Sequence, residues 1–162
     1  MGQGNRGTVE RIGARVSTAE DTLAIQQLIA RYPLAVDGRD WDSLDDLFTP
    51  DARLDFTTFG GPAADITSIK KFLDESLGIF TLSQHMMGLP AITLDGDRAT
   101  ARTSCLNPMV LPKGDGSDAV WLIGLWYDDE FVRTAAGWRF TSRKQHRAYT
   151  LVGMVDTPLG PA

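Results

Sequence analysis

Residues 17–56, STAEDTLAIQQLIARYPLAVDGRDWDSLDDLFTPDARLDF, decide how this chain is read. Ser17 followed by Glu20 fits a capping box, in which the serine oxygen and the glutamate each satisfy an amide left unpaired at a helix start. A helix is therefore expected from about residue 18. Leu23, Ala24, Leu28, Tyr32 and Ala35 recur at three- and four-residue spacing as its buried stripe. Pro33 removes one hydrogen bond from this rod and should kink it, Asp37 places a charge near its end, and Gly38 breaks it. A second short helix is expected from Asp42, presenting Trp41, Leu44, Leu47 and Phe48. Pro50 stops it, and Arg53 to Phe56 turn extended.

Downstream, the chain reads as the sheet on which these elements pack. A third helix follows from Thr67 to Leu77, with Ile69, Phe72, Leu73 and Leu77 in helical rhythm. Gln84 to Leu89 is a short extended segment carrying His85, and Ala91 to Leu94 runs into Asp95-Gly96-Asp97, a strong hairpin signal. From Arg98 to Leu111, alternation places Ala99, Ala101, Thr103, Cys105, Asn107 and Met109 on one face of a long strand. AVWLIGLWY, residues 119–127, is apolar on both faces, so one side should meet the helices and the other a partner subunit. Trp138 to Leu151 forms the last strand. Helices followed by hairpin-linked antiparallel strands, rather than alternating βαβ units, indicate an α+β layer.

A chain of 162 residues is expected to form one domain, here residues 17–152, preceded by a flexible arm at 1–16 and followed by a tail at 153–162. The net charge of −5 argues against a nucleic-acid partner, because phosphate binding needs a basic footprint. A single cysteine, Cys105, allows neither an intrachain disulfide nor a cysteine zinc site, and points to a reducing compartment, the cytoplasm. No apolar run reaches signal-peptide or membrane-spanning length, so no membrane partner is expected. His85 and His146 are the only histidines, and no His-Glu-x-x-His, Gly-x-Gly-x-x-Gly, Walker or Gly-x-Ser-x-Gly pattern occurs. Chemistry without metal or cofactor follows.

Three segments carry a family likeness: IQQLIARYPLAVDGRDWDSLDDLFTPDARLDF, QHMMGLPAITLDGDRATAR and GLWYDDEFVRTAAGWRFTSRK. Together, over roughly residues 17–150, they resemble the SnoaL-like branch of the nuclear-transport-factor-2-like superfamily. That group includes scytalone dehydratase, bile-acid 7-alpha-dehydratase, ketosteroid isomerase, polyketide cyclases and the small subunits of ring-hydroxylating dioxygenases. The resemblance implies a cone-shaped α+β barrel, a curved antiparallel sheet wrapped by three N-terminal helices. It also implies that a tyrosine and an aspartate of the first helix face a histidine at the start of an inner strand, here Tyr32, Asp37 and His85. Where the bile-acid enzyme adds an aspartate on the next strand, this chain has Asn107, which can orient an oxygen but cannot take a proton.

These residue types suit proton transfer. A histidine collects and returns protons near neutral pH, and a carboxylate on one imidazole nitrogen fixes the tautomer. Asp37 would orient His85, while Tyr32, with help from Asn107, would polarise a substrate oxygen. On an ideal helix Tyr32 and Asp37 lie about 140° apart, so a kink at Pro33 is needed to aim both into one hollow. Each site has a plainer reading: Tyr32 as core with its hydroxyl at the edge, Asp37 as a helix-terminating residue, His146 as part of a solvated basic rim, and Arg143 in a structural ion pair. Met87, Phe56, Trp126, Phe140, Arg143 and His146 are the candidate substrate-binding residues, an aromatic and thioether set that suits a flat hydrophobic ligand. The expected activity is that of a cofactor-independent lyase or isomerase on a small aromatic or polycyclic molecule. Dehydration comes first and retro-aldol loss of an aldehyde second; the alternative is a non-catalytic ligand-binding or assembly subunit like the dioxygenase small subunit. A homotrimer is expected, with a homodimer also open.

Overall fold

The computed structural model describes the backbone of residues 6–155 and the side chains of residues 18–153. Helix α1 spans Arg6–Asp37 and a short 3-10 turn spans Asp42–Leu44. Strand β1 is Phe48–Asp55, a second 3-10 turn is Thr57–Phe59, β2 is Ala63–Asp65 and helix α2 is Ile66–Leu77. Then come β3 (Leu82–Ser83), β4 (Met86–Met87), β5 (Ala91–Asp95), β6 (Arg98–Pro112), β7 (Asp118–Thr134) and β8 (Gly137–Val155).

Two expectations about the helices are corrected. The first helix begins at Arg6 rather than near residue 18, so Ser17 lies within it; the cap proposed there and the first residues of the expected arm fall outside the described side chains. The C-terminal tail is likewise described only as far as Val155, inside β8. The short helix near Asp42 is a single 3-10 turn, and Phe48 already belongs to a strand. Two α-helices thus stand among the described residues in place of three at the N-terminus.

The buried face of α1 is Ile25, Leu28, Ile29, Tyr32, Ala35 and Val36, spaced three and four apart. Leu23, 57% exposed, and Ala24 fall off that face. The helix ends in a Schellman motif: the Asp40 amide reaches Ala35 O at 2.8 Å and the Arg39 amide reaches Val36 O at 3.1 Å. Arg39, with φ of 54°, takes the left-handed position that glycine usually fills. Its guanidinium donates to Leu77 O at 2.9 Å and Phe80 O at 2.6 Å, so the end of α1 clasps the end of α2.

The sheet is curved and unclosed, ordered β2-β1-β8-β7-β6-β3, with β4 and β5 also paired to β6. It is not wholly antiparallel, because β1 runs parallel to β8, with an irregularity between Phe48 and Arg53 where Pro50 sits. Two further irregularities between β7 and β8, at Gly124/Leu125 and Glu130/Phe131, bend the long strands. The inner face carries Ala99, Ala101, Thr103, Cys105, Asn107 and Met109, in the alternation the sequence predicts. Among the described residues no helix is long and apolar enough to cross a membrane.

Candidate active site

His85 is placed by sheet register. Leu82 and Ser83 pair with Val110 and Met109, and Met86 and Met87 pair with Leu106 and Cys105. Carrying the same register through the gap sets His85 opposite Asn107 on the inner face. Pro108 has no amide to give, so the ladder opens there, leaving only the Gln84 amide on Pro108 O at 3.1 Å. The gap between two dipeptide strands is where the imidazole turns inward.

Asp37, the last residue of α1, meets it. One carboxylate oxygen accepts from His85 Nδ1 at 2.6 Å and from the Ser83 hydroxyl at 2.9 Å; the other accepts from the His85 amide at 2.7 Å. Burial would raise the Asp37 pKa, but these hydrogen bonds and the charge of His85 together hold it below the ordinary carboxylate value. On the other side of the ring, the Asn107 amide nitrogen faces Ser83 Oγ, Gln84 O and Pro108 O, each at 3.3 Å, and its oxygen accepts from His85 Nε2 at 3.1 Å. The opposite amide orientation would aim an oxygen at two backbone carbonyl oxygens. Both imidazole nitrogens are thus held, Nδ1 by Asp37 and Nε2 by Asn107.

A cavity of about 280 Å³ opens in front of this assembly. Its walls are Phe56, Phe59, Phe72, Phe80, Met109, Trp121, Ile123 and Leu125, with Tyr32, His85, Asn107, Tyr127 and Gln145 as polar lining. Tyr32 stands edge-on to His85, ring centroids 6.4 Å apart, and burial pushes its pKa up to about 12, so it keeps its proton. The wheel angle between Tyr32 and Asp37 is met by division of labour: Tyr32 faces the cavity from the helix side, and Asp37 reaches around the helix end to the far nitrogen of His85.

The candidates therefore separate. Tyr32, His85, Asn107 and Phe56 line the cavity, and Asp37 backs His85. Five other candidates lie elsewhere. Trp126 and His146 are cross-strand partners on the outer face, where His146 sits 2.9 Å from Asp128 and Trp126 lies under Arg102. Strand alternation decides this, because Tyr127 on the inner face forces both neighbours outward. Phe140 is buried in the core, stacked on Phe48 and tilted against Phe131. Arg143 is wholly buried in a bidentate pair with Asp129, both contacts 2.8 Å, and Met87 packs against the core. Sequence reasoning alone passes over Ser83 and Tyr127, although the register of residues 82–87 against β6 is the signal that finds Ser83. Among the described residues no group of three or more His, Cys, Asp or Glu could hold a metal ion.

Comparison with known proteins agrees with this architecture. An uncharacterized protein of Mycobacterium tuberculosis is 41% identical over 141 residues, 87% of this chain and 95% of its own length. The crystal structure of Kfla4162 from Kribbella flavida superposes with a TM-score of 0.75 at 31% identity, covering 83% of this chain and 95% of that one. The hexachlorocyclohexane dehydrochlorinase LinA-type3 of Novosphingobium barchaimii shares the fold, with a TM-score of 0.73 at 18% identity over 95% and 99% of the two chains. Residues 17–144 match the SnoaL-like domain. By fold, match and relatives, this chain belongs to the SnoaL-like domain family, within the nuclear-transport-factor-2-like superfamily.

Proposed function

We propose that the protein is a cofactor-independent lyase or isomerase that moves a proton on a small, mostly apolar aromatic substrate, with dehydration as the first choice of reaction and retro-aldol cleavage as the second. The observation that carries this reading is a carboxylate-held imidazole at the wall of an apolar cavity. The same fold serves an elimination reaction in a protein named as a dehydrochlorinase, which agrees with the reading without fixing the substrate. His85 carries the proton, with Nε2 as the exchanging position and Asn107 holding it in the meantime. Asp37 fixes the tautomer and orientation, and Tyr32 offers a neutral phenol to an oxygen on which charge develops. The aromatic walls exclude water, which strengthens each of these electrostatic contacts.

The test is exchange of the α-hydrogens of 2-tetralone in deuterated water, followed by proton NMR, together with water loss from β-hydroxy ketones on the same frame. His85→Ala should lower both rates by at least about a hundredfold. Undiminished exchange in that variant ends the assignment. A chain that catalyses neither reaction and is unstable without a second kind of polypeptide would favour the assembly-subunit alternative.

A further inference from the structure

Tyr127 is fully buried on the inner face of β7 and lines the cavity, yet its hydroxyl has no hydrogen-bond partner. Gln145, opposite it on β8, lies beside the phenol outside hydrogen-bonding geometry. Two more groups in this corner are in the same condition. Thr103 Oγ1, on the residue paired with Tyr127 across β6, and Arg143 Nη1 are buried without partners. The Arg143 guanidinium carbon stands 4.2 Å over the Tyr127 ring and 4.0 Å over the Tyr32 ring, and the two tyrosines meet edge-on at 5.9 Å.

Each of these groups can donate, and none of them makes a hydrogen bond within the fold. An unmatched buried donor is destabilising, because it gives up its hydrogen bond to water and gains none in the fold. Arg143 is already neutralised by Asp129, so the corner holds no unpaired positive charge demanding a full anion. What satisfies it is an oxygen with free lone pairs and partial negative charge. Burial raises both phenol pKa values, that of Tyr127 well above the ordinary tyrosine value, so both remain donors at neutral pH.

We infer that the Tyr127 hydroxyl is a substrate-binding donor that grips a ketone or phenol oxygen inside the cavity, with the ligand's carbon frame lying toward His85. This rests on the cavity being the ligand site, as in the reading above, and narrows the substrate to an aromatic ketone or phenol. The group that holds the oxygen and the group that moves the proton are then different residues.

The experiment compares 2-acetylnaphthalene, which carries a carbonyl acceptor, with 2-ethylnaphthalene, which does not, by fluorescence titration of wild type, Tyr127→Phe and His85→Ala. Melting temperatures of the unliganded proteins are measured alongside. Wild type should bind the ketone about tenfold more tightly than the hydrocarbon, the worth of one net hydrogen bond. Tyr127→Phe should lose that preference, bind the hydrocarbon as before and melt no lower than wild type, while His85→Ala keeps the preference. A preference that survives in Tyr127→Phe, or vanishes only in His85→Ala, overturns the inference. So does a clearly lower melting temperature for Tyr127→Phe, which would mean that the hydroxyl has a partner within the fold. Equal binding of both compounds by wild type removes the donor assignment and leaves the cavity reading standing; binding of neither removes both.

Discussion

Asp37 stands at the C-terminal end of a helix, where the macrodipole disfavours negative charge. Three hydrogen bonds from His85 and Ser83, with the charge of His85, more than offset that cost and its partial burial. Because its pKa is lower in the folded chain than in the unfolded one, ionised Asp37 contributes stability that is fully present at neutral pH. That contribution is lost on acidification below about pH 4, as the carboxylate titrates. Asp37→Asn should therefore flatten the acid limb of the stability profile, measured by urea unfolding from pH 7 downward. It should also slow α-hydrogen exchange by at least about tenfold through loss of the tautomer lock. Arg143 and Asp129 pose a different problem, a charge pair with no exposure at all. Asp129→Asn alone should cost about 3–5 kcal/mol, whereas replacing both partners by apolar residues of similar volume should recover most of it. Denaturant titration of the single and double variants separates the two outcomes.

The cavity mouth depends on how two elements end. Arg39 accepts a left-handed backbone that costs a non-glycine residue roughly 1–2 kcal/mol, and its side chain ties the last carbonyl of α2 and that of Phe80 just beyond it to the end of α1. Leu77 and Phe80, the residues so tied, also line the cavity. Arg39→Ala keeps the backbone cost and loses the ties, so it should lower stability by about 1–3 kcal/mol and weaken 2-acetylnaphthalene binding. Arg39→Gly should lie between the two in stability, because it relieves the backbone. Equal stabilities for all three would show that the clasp contributes nothing. The β3–β4 edge works in a similar way: two dipeptide strands in one register hold His85 more firmly than a free loop would, because each end is anchored to β6.

At the scale of the whole molecule, the outer face of the sheet is unlike the rest of the surface. Met86, Trp126, Tyr149 and Leu151 are each between 39% and 58% exposed, and the Tyr149 ring lies across Gly124, where no side chain would fit. A face of this kind predicts self-association, the homotrimer being the assembly proposed. Sedimentation velocity should give a species larger than 17.7 kDa, and Leu151→Lys with Trp126→Lys should shift it to monomer while leaving ligand binding in the cavity intact. A wild-type chain that sediments as a monomer at all concentrations would refute this.

Local pattern alone determined the α+β class, the Gly96-Asp97 hairpin and the alternation along β6, while the family likeness implied the proximity of Asp37 to His85. These depend on spacing along the chain or on motif order, which a sequence carries directly. Tertiary structure decided the rest. Whether Trp126 or Tyr127 faces inward depends on one residue of register against β6, and a single-residue slip exchanges the two faces of a strand. The parallel seam between β1 and β8 joins segments about ninety residues apart, which no local periodicity can encode. The unmatched Tyr127 hydroxyl became visible only once its surroundings were known, since hydrogen-bond satisfaction belongs to a neighbourhood and not to a residue.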